Sequence, residues 1–516
     1  MIITDNQLGS VNRSTPKVIV IETTPTPVAR GKATNVVAIV GQFERGEPNK
    51  VYKVGSLSAS YKVLGGYKLN SSNQALDGHL ALKNLYDSQA SVVKVVRVTD
   101  SAGTVKATVT IDDGQLTPAD VFSITADTVG TWGNSITVQT EAHPTATYFN
   151  MTVRNTVTQE KRVYTKVSTL STDSRYVKTI VDNDPLRFFN IAMVLTDGTE
   201  PDYGTFSLTT GSNGTNSGTG LASSAYVGVS SPSKTGLQVF SGVEHSDINI
   251  VISARNDATI NTGLITHVDT LGMSPRRTII TFSSGTFDSG VSVSTAVTNK
   301  STITSSRVKI VYDWLYVENP YTSAMELNNP VTFSAGIDSV LGYWQSASQQ
   351  KLPATVKGTE FGLDQTEINT LTEAQINPIV FDQDRGYIFA SDYTCSDNEK
   401  EKQNVVRKGK DFFAKAFDSG IKPFVSKPII ANGKDNTFNK IKEALESLLR
   451  MEASAGHIGR HDGAIPYAVK CDTENNTDDT VQNNTVRVDA QISLLAPADI
   501  IEIYVDAQQN KTIVSV

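Results

Sequence analysis

Strand-like and helix-like segments alternate regularly between residues 246 and 360, and this alternation constrains the fold more than any other feature of the sequence. A strand is predicted at Asp247–Ala254, where apolar residues recur in a short run. The periodicity then predicts a helix, a strand, a helix and a strand, at Thr259–Gly272, Arg277–Phe282, Val291–Ser305 and Val308–Val317. Repeated βαβ units predict parallel strands with helices on the faces of the sheet.

The N-terminal region predicts a second α/β unit. Asn35–Gly41 is a continuous apolar run, as expected for a buried central strand. Ser56 can cap a short helix, and helical spacing over Asn73–Asp87 is interrupted by Gly78. The strand Val92–Val98 closes the unit.

Residues 101–245 have a different sequence pattern, in which short strand-like segments predominate. One helix is predicted at Asp173–Asp182, and Gly211–Gly220 is a glycine-rich, low-complexity segment that predicts a flexible loop. The strand-like segments are separated by polar turns and lie at Val105–Ile111, Ser135–Thr140, Tyr148–Val153, Lys161–Val167 and Phe189–Leu195. The pattern predicts a β-rich inserted domain.

The C-terminal region combines helices and strands. Two long amphipathic helices are predicted at Glu399–Ser419 and Thr437–Ala455. Gly463–Asp472 alternates toward a strand, Val486–Leu494 alternates strictly, and Asp499–Val505 forms a last strand. The whole chain therefore predicts a mixed α/β (α+β) multidomain fold, with an α/β core, a β-rich insert and a C-terminal α/β domain.

Composition excludes several classes of protein. The formal net charge of −7 argues against a nucleic-acid binder, so we expect no contact with nucleic acid. Two cysteines, Cys395 and Cys471, are too few for a disulfide framework and predict buried free thiols. We find neither an apolar run of membrane-spanning length nor a secretory signal, so we expect no membrane insertion.

Enzymatic motifs are missing, so we predict that the chain is not an enzyme and needs no cofactor or metal. His457 and His461 have helical spacing, but Gly456 and Gly459 interrupt the segment and no glutamate lies between the histidines as in H-E-x-x-H. The sequence has no phosphate-binding G-x-x-x-x-G-K-[ST] loop and no G-x-S-x-G nucleophile elbow. No G-x-G-x-x-G follows the strand at Asp247–Ala254, so the glycines that admit a pyrophosphate are absent.

The order and spacing of several segments resemble contractile tail sheath proteins of myovirus-type bacteriophages and related injection machines. The segments that carry the resemblance are Thr34–Gly41, Tyr61–Gly66, Ala75–Leu85, Val92–Val98, Gly130–Asn134, Asp313–Tyr321, Ala335–Ser346, Gly362–Ile379 and the C-terminal turn and strands after Cys471. The resemblance covers most of the chain and is weakest over the insert. It implies a structural subunit that polymerises as a helical cylinder around a tail tube and contracts without nucleotide hydrolysis. Contraction would drive the tube through the host envelope for genome delivery.

The resemblance also implies domain limits and partners. We expect an N-terminal linking arm at 1–22, the first part of the core at 23–100, the insert at 101–245 on the outer surface, and the βαβ core at 246–360. A C-terminal domain facing the tube would span 361–498, and a terminal arm 499–516. The expected partners are other copies in stacked, hexameric rings, the tube protein, and the baseplate and tail terminator proteins. The subunit would assemble in the host bacterial cytoplasm and reside in the virion tail.

Two groups of residues are candidates for assembly contacts. Strand exchange between subunits through the arms would use Val18, Ile19, Val20, Ile21, Ile500, Ile501, Ile503 and Val505. Contact with the tube would use basic side chains of the two long helices, and the sequence does not choose between the helices; the candidates are Lys400, Lys402, Arg407, Lys408, Lys440 and Arg450.

Two alternatives remain open. The sheath could belong to a headless, tailocin-like injection particle rather than a phage. From a different class, the Ser/Thr-rich insert could mark a β-rich surface protein or carbohydrate-binding protein. That hypothesis predicts aromatic platforms in the β region, where Trp132 is the only tryptophan.

Overall fold

The computed structural model describes two compact units of the chain. The described residues are 36–69, 75–100, 102–217, 220–271, 290–430, 436–495 and 497, together with the backbone of three strands at 2–4, 20–22 and 279–283. Within these ranges, the larger unit contains residues 36–342 and 347–411, and the smaller unit contains 343–346, everything from Phe412 onward and the two N-terminal strands.

The strands are β1 (Ile2–Thr4), β2 (Val20–Glu22), β3 (Val36–Gly41), β4 (Val51–Val54), β5 (Val92–Arg97), β6 (Thr104–Val105), β7 (Thr108–Asp112), β8 (Asp120–Ala126), β9 (Ile136–Ala142), β10 (Phe149–Asn155), β11 (Lys161–Val167), β12 (Phe189–Met193), β13 (Gly204–Ser207), β14 (Ser212–Asn213), β15 (Ile250–Ser253), β16 (Ile279–Ser283), β17 (Val308–Tyr312), β18 (Leu315–Glu318), β19 (Met325–Asn328), β20 (Val356–Thr359), β21 (Ile376–Asp382), β22 (Gly386–Phe389), β23 (Tyr467–Lys470) and β24 (Asp489–Ile492).

The α-helices are α1 (Leu57–Leu64), α2 (Asp77–Asp87), α3 (Val177–Asp182), α4 (Ser223–Val227), α5 (Ala258–Leu271), α6 (Val293–Lys300), α7 (Pro330–Val340), α8 (Gln365–Glu373), α9 (Asn404–Ile421), α10 (Thr437–Ser454) and α11 (Asp478–Gln482). Short 3-10 turns lie at Thr131–Ser135, Gly236–Ser241, Val243–His245, Glu399–Glu401 and Lys422–Phe424.

The larger unit is built on one eight-stranded sheet with the order β22-β21-β17-β16-β15-β3-β5-β4. Its six inner strands are parallel, and β22 and β4 pair antiparallel at the two edges. Every residue of β3, β15 and β17 is buried, which explains why these strands are mostly apolar in sequence, with Lys309 as the charged exception in β17. The predicted mixed α/β fold and its parallel sheet are confirmed.

Local signals fix the ends of several helices. Ser56 caps α1 by accepting a 3.2 Å hydrogen bond from the amide of Ala59, as the sequence predicts. Asp364 and Glu367 form a reciprocal capping box at the start of α8. The predicted helix over Asn73–Asp87 begins at Asp77, and Gly78 lies inside its first turn rather than interrupting it.

The insert folds as two antiparallel sheets that share one apolar core. One sheet has the order β11-β10-β9-β13 and the other β12-β8-β7. Phe122 and Phe149, one from each sheet, stack with ring centroids 6.1 Å apart inside this core. The β-rich character predicted for this region is therefore observed, while the helix predicted at Asp173–Asp182 is shorter, spanning Val177–Asp182.

The sequence predicted a flexible loop over the whole glycine-rich segment 211–220. The structure differs, because the first part of the segment is not a free loop. Ser212 and Asn213 form β14, which pairs with β6. The Asn213 side chain is buried, and its Oδ1 accepts a 3.1 Å hydrogen bond from Nη2 of the fully buried Arg97. The first part of the segment is therefore part of the packed structure.

The single strand predicted at Val308–Val317 is wrong, because the chain changes sheets at Asp313. The strand β17 belongs to the large sheet, whereas β18 pairs with β19 and β20. The buried carboxylate of Asp313 accepts hydrogen bonds from the amides of Trp314 and Phe361. These amides are therefore satisfied by a side chain instead of by a neighbouring strand.

The division between the units differs from the predicted start of the C-terminal domain at residue 361. Residues 361–411 belong to the larger unit, because β21 pairs in parallel with β17 and extends the large sheet. The predicted helix Ala335–Ser346 is observed earlier, as α7, and the helix predicted from Glu399 begins at Asn404.

Candidate assembly surfaces

The C-terminal hairpin of β23 and β24 is the first candidate surface. Tyr467 pairs with Ile492 and Lys470 with Asp489 in an antiparallel register. Val469 and Cys471 are buried on one face of the hairpin, where they pack with α10 in the apolar core of the smaller unit. The alternation in the sequence predicts this division into a buried and an exposed face.

A single buried side chain closes the turn between the two strands. Asn476 is almost fully buried, and its Nδ2 donates to the carbonyls of Asp472 and Arg487. Its Oδ1 accepts from the amide of Arg487 at 2.6 Å. The Asn476 side chain thus connects the segment just after β23 to the segment just before β24 by hydrogen bonds to their backbones.

Along β23 and β24 both outer edges of the hairpin lack a strand partner among the described residues, whereas directly beyond β24 Leu494 forms a bridge with Ile458 of the same chain. The amide of Ser493 donates to the carbonyl of Pro466, so these two residues form a hydrogen-bonded pair. Along the antiparallel strands, non-hydrogen-bonded and hydrogen-bonded pairs then alternate from this pair onward. In the register of the hairpin, Ala468 and Gln491 bond each other, while the amides of Val469 and Ala490 point to the two outer edges. A groove of about 740 Å³ runs along both strands. Such edges can accept strands from other chains.

The crevice where the order of the parallel strands reverses, between β3 and β15, is filled by the chain itself. In sheets of this type, ligands bind outside the carboxyl ends of the strands at this point. Here the amide of Gln42 donates to Oδ1 of Asp77 at 2.7 Å, and Gln42 Nε2 donates to the hydroxyl of Tyr226 at 2.8 Å. Tyr226 in turn donates to Asp77. Burial raises the pKa values of Asp77 and Tyr226.

Of the two histidines singled out in the sequence, only His457 packs against other side chains, which hold it in the smaller unit. His457 Nδ1 lies 2.7 Å from Glu452 Oε2, and its ring stacks on Trp344 with centroids 3.4 Å apart. Tyr343 donates to the same Glu452 oxygen at 2.8 Å. His461 is exposed.

Three further properties of the described residues bear on function. No group of three or more His, Cys, Asp and Glu side chains comes together there in a way that could hold a metal ion. None of the described helices combines the length and hydropathy that crossing a membrane requires. Cys395 and Cys471 are buried free thiols, as predicted, and burial raises the pKa of Cys471 to about 11.

Comparisons with known proteins bear on the fold. The sheath tail protein of Listeria innocua matches with a TM-score of 0.61 and 15% identity, over 86% of this chain and 90% of that chain. The sheath tail protein of Desulfitobacterium hafniense matches with a TM-score of 0.59 and 14% identity, over 88% and 93%. The contracted helical sheath of the anti-feeding prophage matches with a TM-score of 0.56 and 12% identity, over 96% and 99%.

The chain has the fold of contractile tail sheath proteins. The resemblance stated from the sequence is thereby confirmed at the level of the fold. No family model matches the sequence, and no curated protein matches it.

Only part of the predicted strand-exchange set lies within the described part of this sheath fold. Val20 and Ile21 belong to β2, which pairs in parallel with β1 of the same chain. The remaining candidates lie outside the described residues; they are Val18, Ile19, Ile500, Ile501, Ile503 and Val505.

The basic residues predicted to contact a tube differ in their exposure to solvent, and only some of them lie at the surface. Lys400 and Arg450 are exposed, and Lys402 and Lys440 are half-buried. Lys402 also places its Nζ 5.0 Å from the centroid of the Tyr393 ring.

Two of the predicted contact residues are turned into the larger unit. The Lys408 side chain is only 4% exposed and lies 3.6 Å from Asp338. Arg407 pairs with the fully buried Asp411 at 2.6 Å. Lys408 and Arg407 therefore stabilise the larger unit rather than forming a basic surface, because buried charges require partners.

Two surface features were missed in the sequence. The direction of the Ala490 amide depends on which residue pairs of the hairpin are hydrogen-bonded to each other. The alternation of apolar residues does not reveal this. Val425 and Ile430 are 65% and 42% exposed in the segment after α9, where Lys422 and Lys427 are also exposed. The two prolines of this segment, Pro423 and Pro428, were the available signal for an exposed turn.

Proposed function

We propose that this chain is the structural subunit of a contractile tail sheath. It polymerises in stacked rings, which we infer to be hexameric, as a helical cylinder around a tail tube. The observation that carries the proposal is the extent of the fold likeness, which reaches 96% of this chain and 99% of a helical sheath subunit. A likeness of this extent includes both compact units rather than one common α/β domain.

The linking mechanism that we propose is strand addition at the C-terminal hairpin. The outward amides of β23 and β24 offer two edges, and the arms 1–22 and 499–516 of neighbouring subunits would supply the strands. Each backbone hydrogen bond contributes only about 0.5–1.5 kcal/mol. Several bonds at every subunit would keep a lattice connected while the subunits rotate.

We further propose that contraction needs no nucleotide. The crevice that holds nucleotides in related sheets is filled here by Asp77, Gln42 and Tyr226. The work would come from a metastable assembly that relaxes to a lower-energy one and drives the tube through the host envelope. The partners would be the tube, baseplate and tail terminator proteins, in a virion tail assembled in the bacterial cytoplasm.

Electron microscopy of the purified full chain tests the proposal. We expect tubes or stacked rings, formed without added ATP. A preparation that stays monodisperse at high concentration, with and without a tube protein, would contradict it.

A pair of variants tests the linking mechanism separately. Ala490→Pro removes an amide that points to the outer edge while leaving the hydrogen bonds within the hairpin in place. Gln491→Ala is the matched control, because it changes an exposed side chain on the same strand and leaves the backbone intact. We expect Ala490→Pro to abolish tubes and Gln491→Ala to retain them, with both variants folded by circular dichroism. Normal tubes formed by Ala490→Pro would rule out strand addition at β24.

Deleting residues 1–16, or everything after Asp499, gives the complementary test. We expect a folded subunit that cannot polymerise, because each arm would add its strands to another chain; within the N-terminal arm, β1 and β2 pair with each other. Sedimentation and circular dichroism distinguish this result from unfolding, which would assign the strand to the subunit itself. Genome delivery is distinguished from a headless particle by whether the assembled tails carry heads.

A further inference from the structure

Four loops of the insert meet at one end of its two sheets. They follow β7 (residues 113–119), β9 (143–148), β11 (168–176) and β12 (194–203). Hydrogen bonds join them: the amide of Asp202 donates to the carbonyl of Asp112 at 2.7 Å, and the amide of Thr147 donates to Glu200 at 2.8 Å. Three more bonds connect the 168–176 loop to its neighbours. We call this group of loops the loop end.

The loops are held in fixed conformations by their own carboxylates. Asp113 accepts from the amide of Ala119, Asp173 from that of Arg175, and Asp197 from that of Thr199. These backbone hydrogen bonds lower the pKa values of Asp113 and Asp173, and bonds to the Thr199 hydroxyl and amide lower that of Asp197. Loops that are ordered before binding lose little conformational entropy when a ligand binds.

Two tyrosines are fixed at the surface of the loop end. Tyr203 is 41% exposed, and its hydroxyl donates to Glu200. The half-buried Tyr148 donates its hydroxyl to Asp173 at 2.8 Å, and its ring meets His143 edge to face with centroids 6.3 Å apart. Each ring is therefore held by a carboxylate that itself accepts a backbone amide, so the rings have defined orientations.

The chemistry around these rings favours an uncharged, hydroxyl-rich ligand. Carboxylates outnumber cationic side chains in the four loops, which disfavours a polyanion. Threonine and serine hydroxyls are frequent in the same loops, at positions such as Thr145, Thr147 and Thr199. Aromatic rings offer an apolar face, while carboxylates and hydroxyls bond to hydroxyl groups.

We propose that the loop end binds neutral oligosaccharides of pyranose sugars, with the apolar C–H face of one sugar ring on Tyr203. Glu200, which accepts from the Tyr203 hydroxyl, is the hydrogen-bonding group beside the tyrosine ring, and the other carboxylates and threonine hydroxyls of the four loops would bond to further sugar hydroxyls. The inference is independent of the proposed sheath function, since it rests on the insert alone. It assigns to the insert a recognition role that neither polymerisation nor contraction requires.

Saturation-transfer difference NMR on the full chain tests this assignment. The probes are neutral oligosaccharides of glucose, galactose or N-acetylglucosamine units, each added separately. We expect saturation transfer to at least one probe, and affinity about tenfold lower in Tyr203→Ala. The matched control is Tyr316→Ala, since Tyr316 is a similarly exposed tyrosine (37%) on β18, away from the insert. The control should bind like the unchanged chain.

Two more variants separate the ring from other contributions. Tyr203→Phe keeps the ring, so it should bind more tightly than Tyr203→Ala. Val157→Ala removes an exposed apolar side chain (65%) of the insert between β10 and β11, outside the four loops, and should leave glycan binding unchanged. The assignment is overturned if no probe receives saturation, if Tyr203→Ala binds as well as the unchanged chain, or if Tyr316→Ala loses binding equally.

Discussion

Lys309 and Asp338 form an ion pair of 2.9 Å in which neither side chain is exposed. The same ammonium lies 2.8 Å from Asp392, which is also fully buried. Burial alone would lower the pKa of Lys309, but the two carboxylates raise it above its ordinary value. This cluster joins β17 to α7 and to the segment after β22 in the interior of the larger unit.

Lys309→Met should destabilise the protein by about 3–5 kcal/mol, because it leaves two buried carboxylates with only Lys408, 3.6 Å from Asp338, as a nearby cation. Urea unfolding followed by circular dichroism measures the loss. Lys410→Met is the control, since Lys410 is exposed and pairs with Glu401 near the surface, so it should change stability by less than about 1 kcal/mol. Equal effects of the two variants would contradict a structural role for the buried cluster.

Asp313 should make stability depend on pH. Burial raises the pKa of Asp313 to about 7, with a further contribution from Glu360. Because this pKa lies above the unfolded value, the folded chain binds the proton more tightly. The stabilisation is therefore fully present below about pH 4 and is lost as the pH rises through about 7.

The comparison of Asp313→Asn with the unchanged chain isolates this effect. Between pH 5 and pH 8, about the range in which Asp313 titrates, the free energy of unfolding of the unchanged chain should fall relative to that of the variant. Glu318→Gln, an exposed carboxylate on the neighbouring strand, serves as the control and should follow the unchanged chain. Parallel pH profiles for Asp313→Asn and the unchanged chain would show that Asp313 does not titrate in this range.

Gly78→Ala should be destabilising even though alanine favours helices. A Cβ at this position would lie 2.5 Å from the carbonyl oxygen of Gln42 and from the Phe43 ring. We expect a net loss of about 1–3 kcal/mol, because the overlap exceeds the gain in helix propensity. Gly362→Ala, where a Cβ would meet nothing within 4 Å, should stay within about 0.5 kcal/mol of the unchanged chain in the same denaturation experiment.

Asn213→Ala should weaken the packing around Arg97. Burial lowers the pKa of Arg97 to about 10, and Asn213 provides one of the acceptors of its guanidinium. Removing that acceptor should cost about 1–3 kcal/mol of stability. Asn216→Ala, an exposed position three residues later, should cost less than about 1 kcal/mol. A thermal shift of the same size in both variants would refute the distinction between the two parts of this segment.

The sequence predicted those features that depend on local periodicity. The buried strands β3 and β15 appear as mostly apolar runs, and the faces of α10 and of the C-terminal hairpin follow from residue spacing. The Ser56 cap depends on the residue itself and the amide three positions later. The order of such segments was also sufficient to suggest the sheath fold, which the structural comparisons confirm.

Contacts between residues that are distant in the chain decided the rest. Lys408 belongs to a helix with a basic sequence, yet its burial follows from Asp338, seventy positions earlier. Asn213 is part of the packed structure because its side chain accepts a hydrogen bond from Arg97. The strand β17 ends just before Asp313, whose carboxylate accepts a hydrogen bond from the amide of Phe361. Periodicity shows which face of an element is apolar, but the free energy of a buried polar group depends on partners that only the tertiary structure brings within hydrogen-bonding distance.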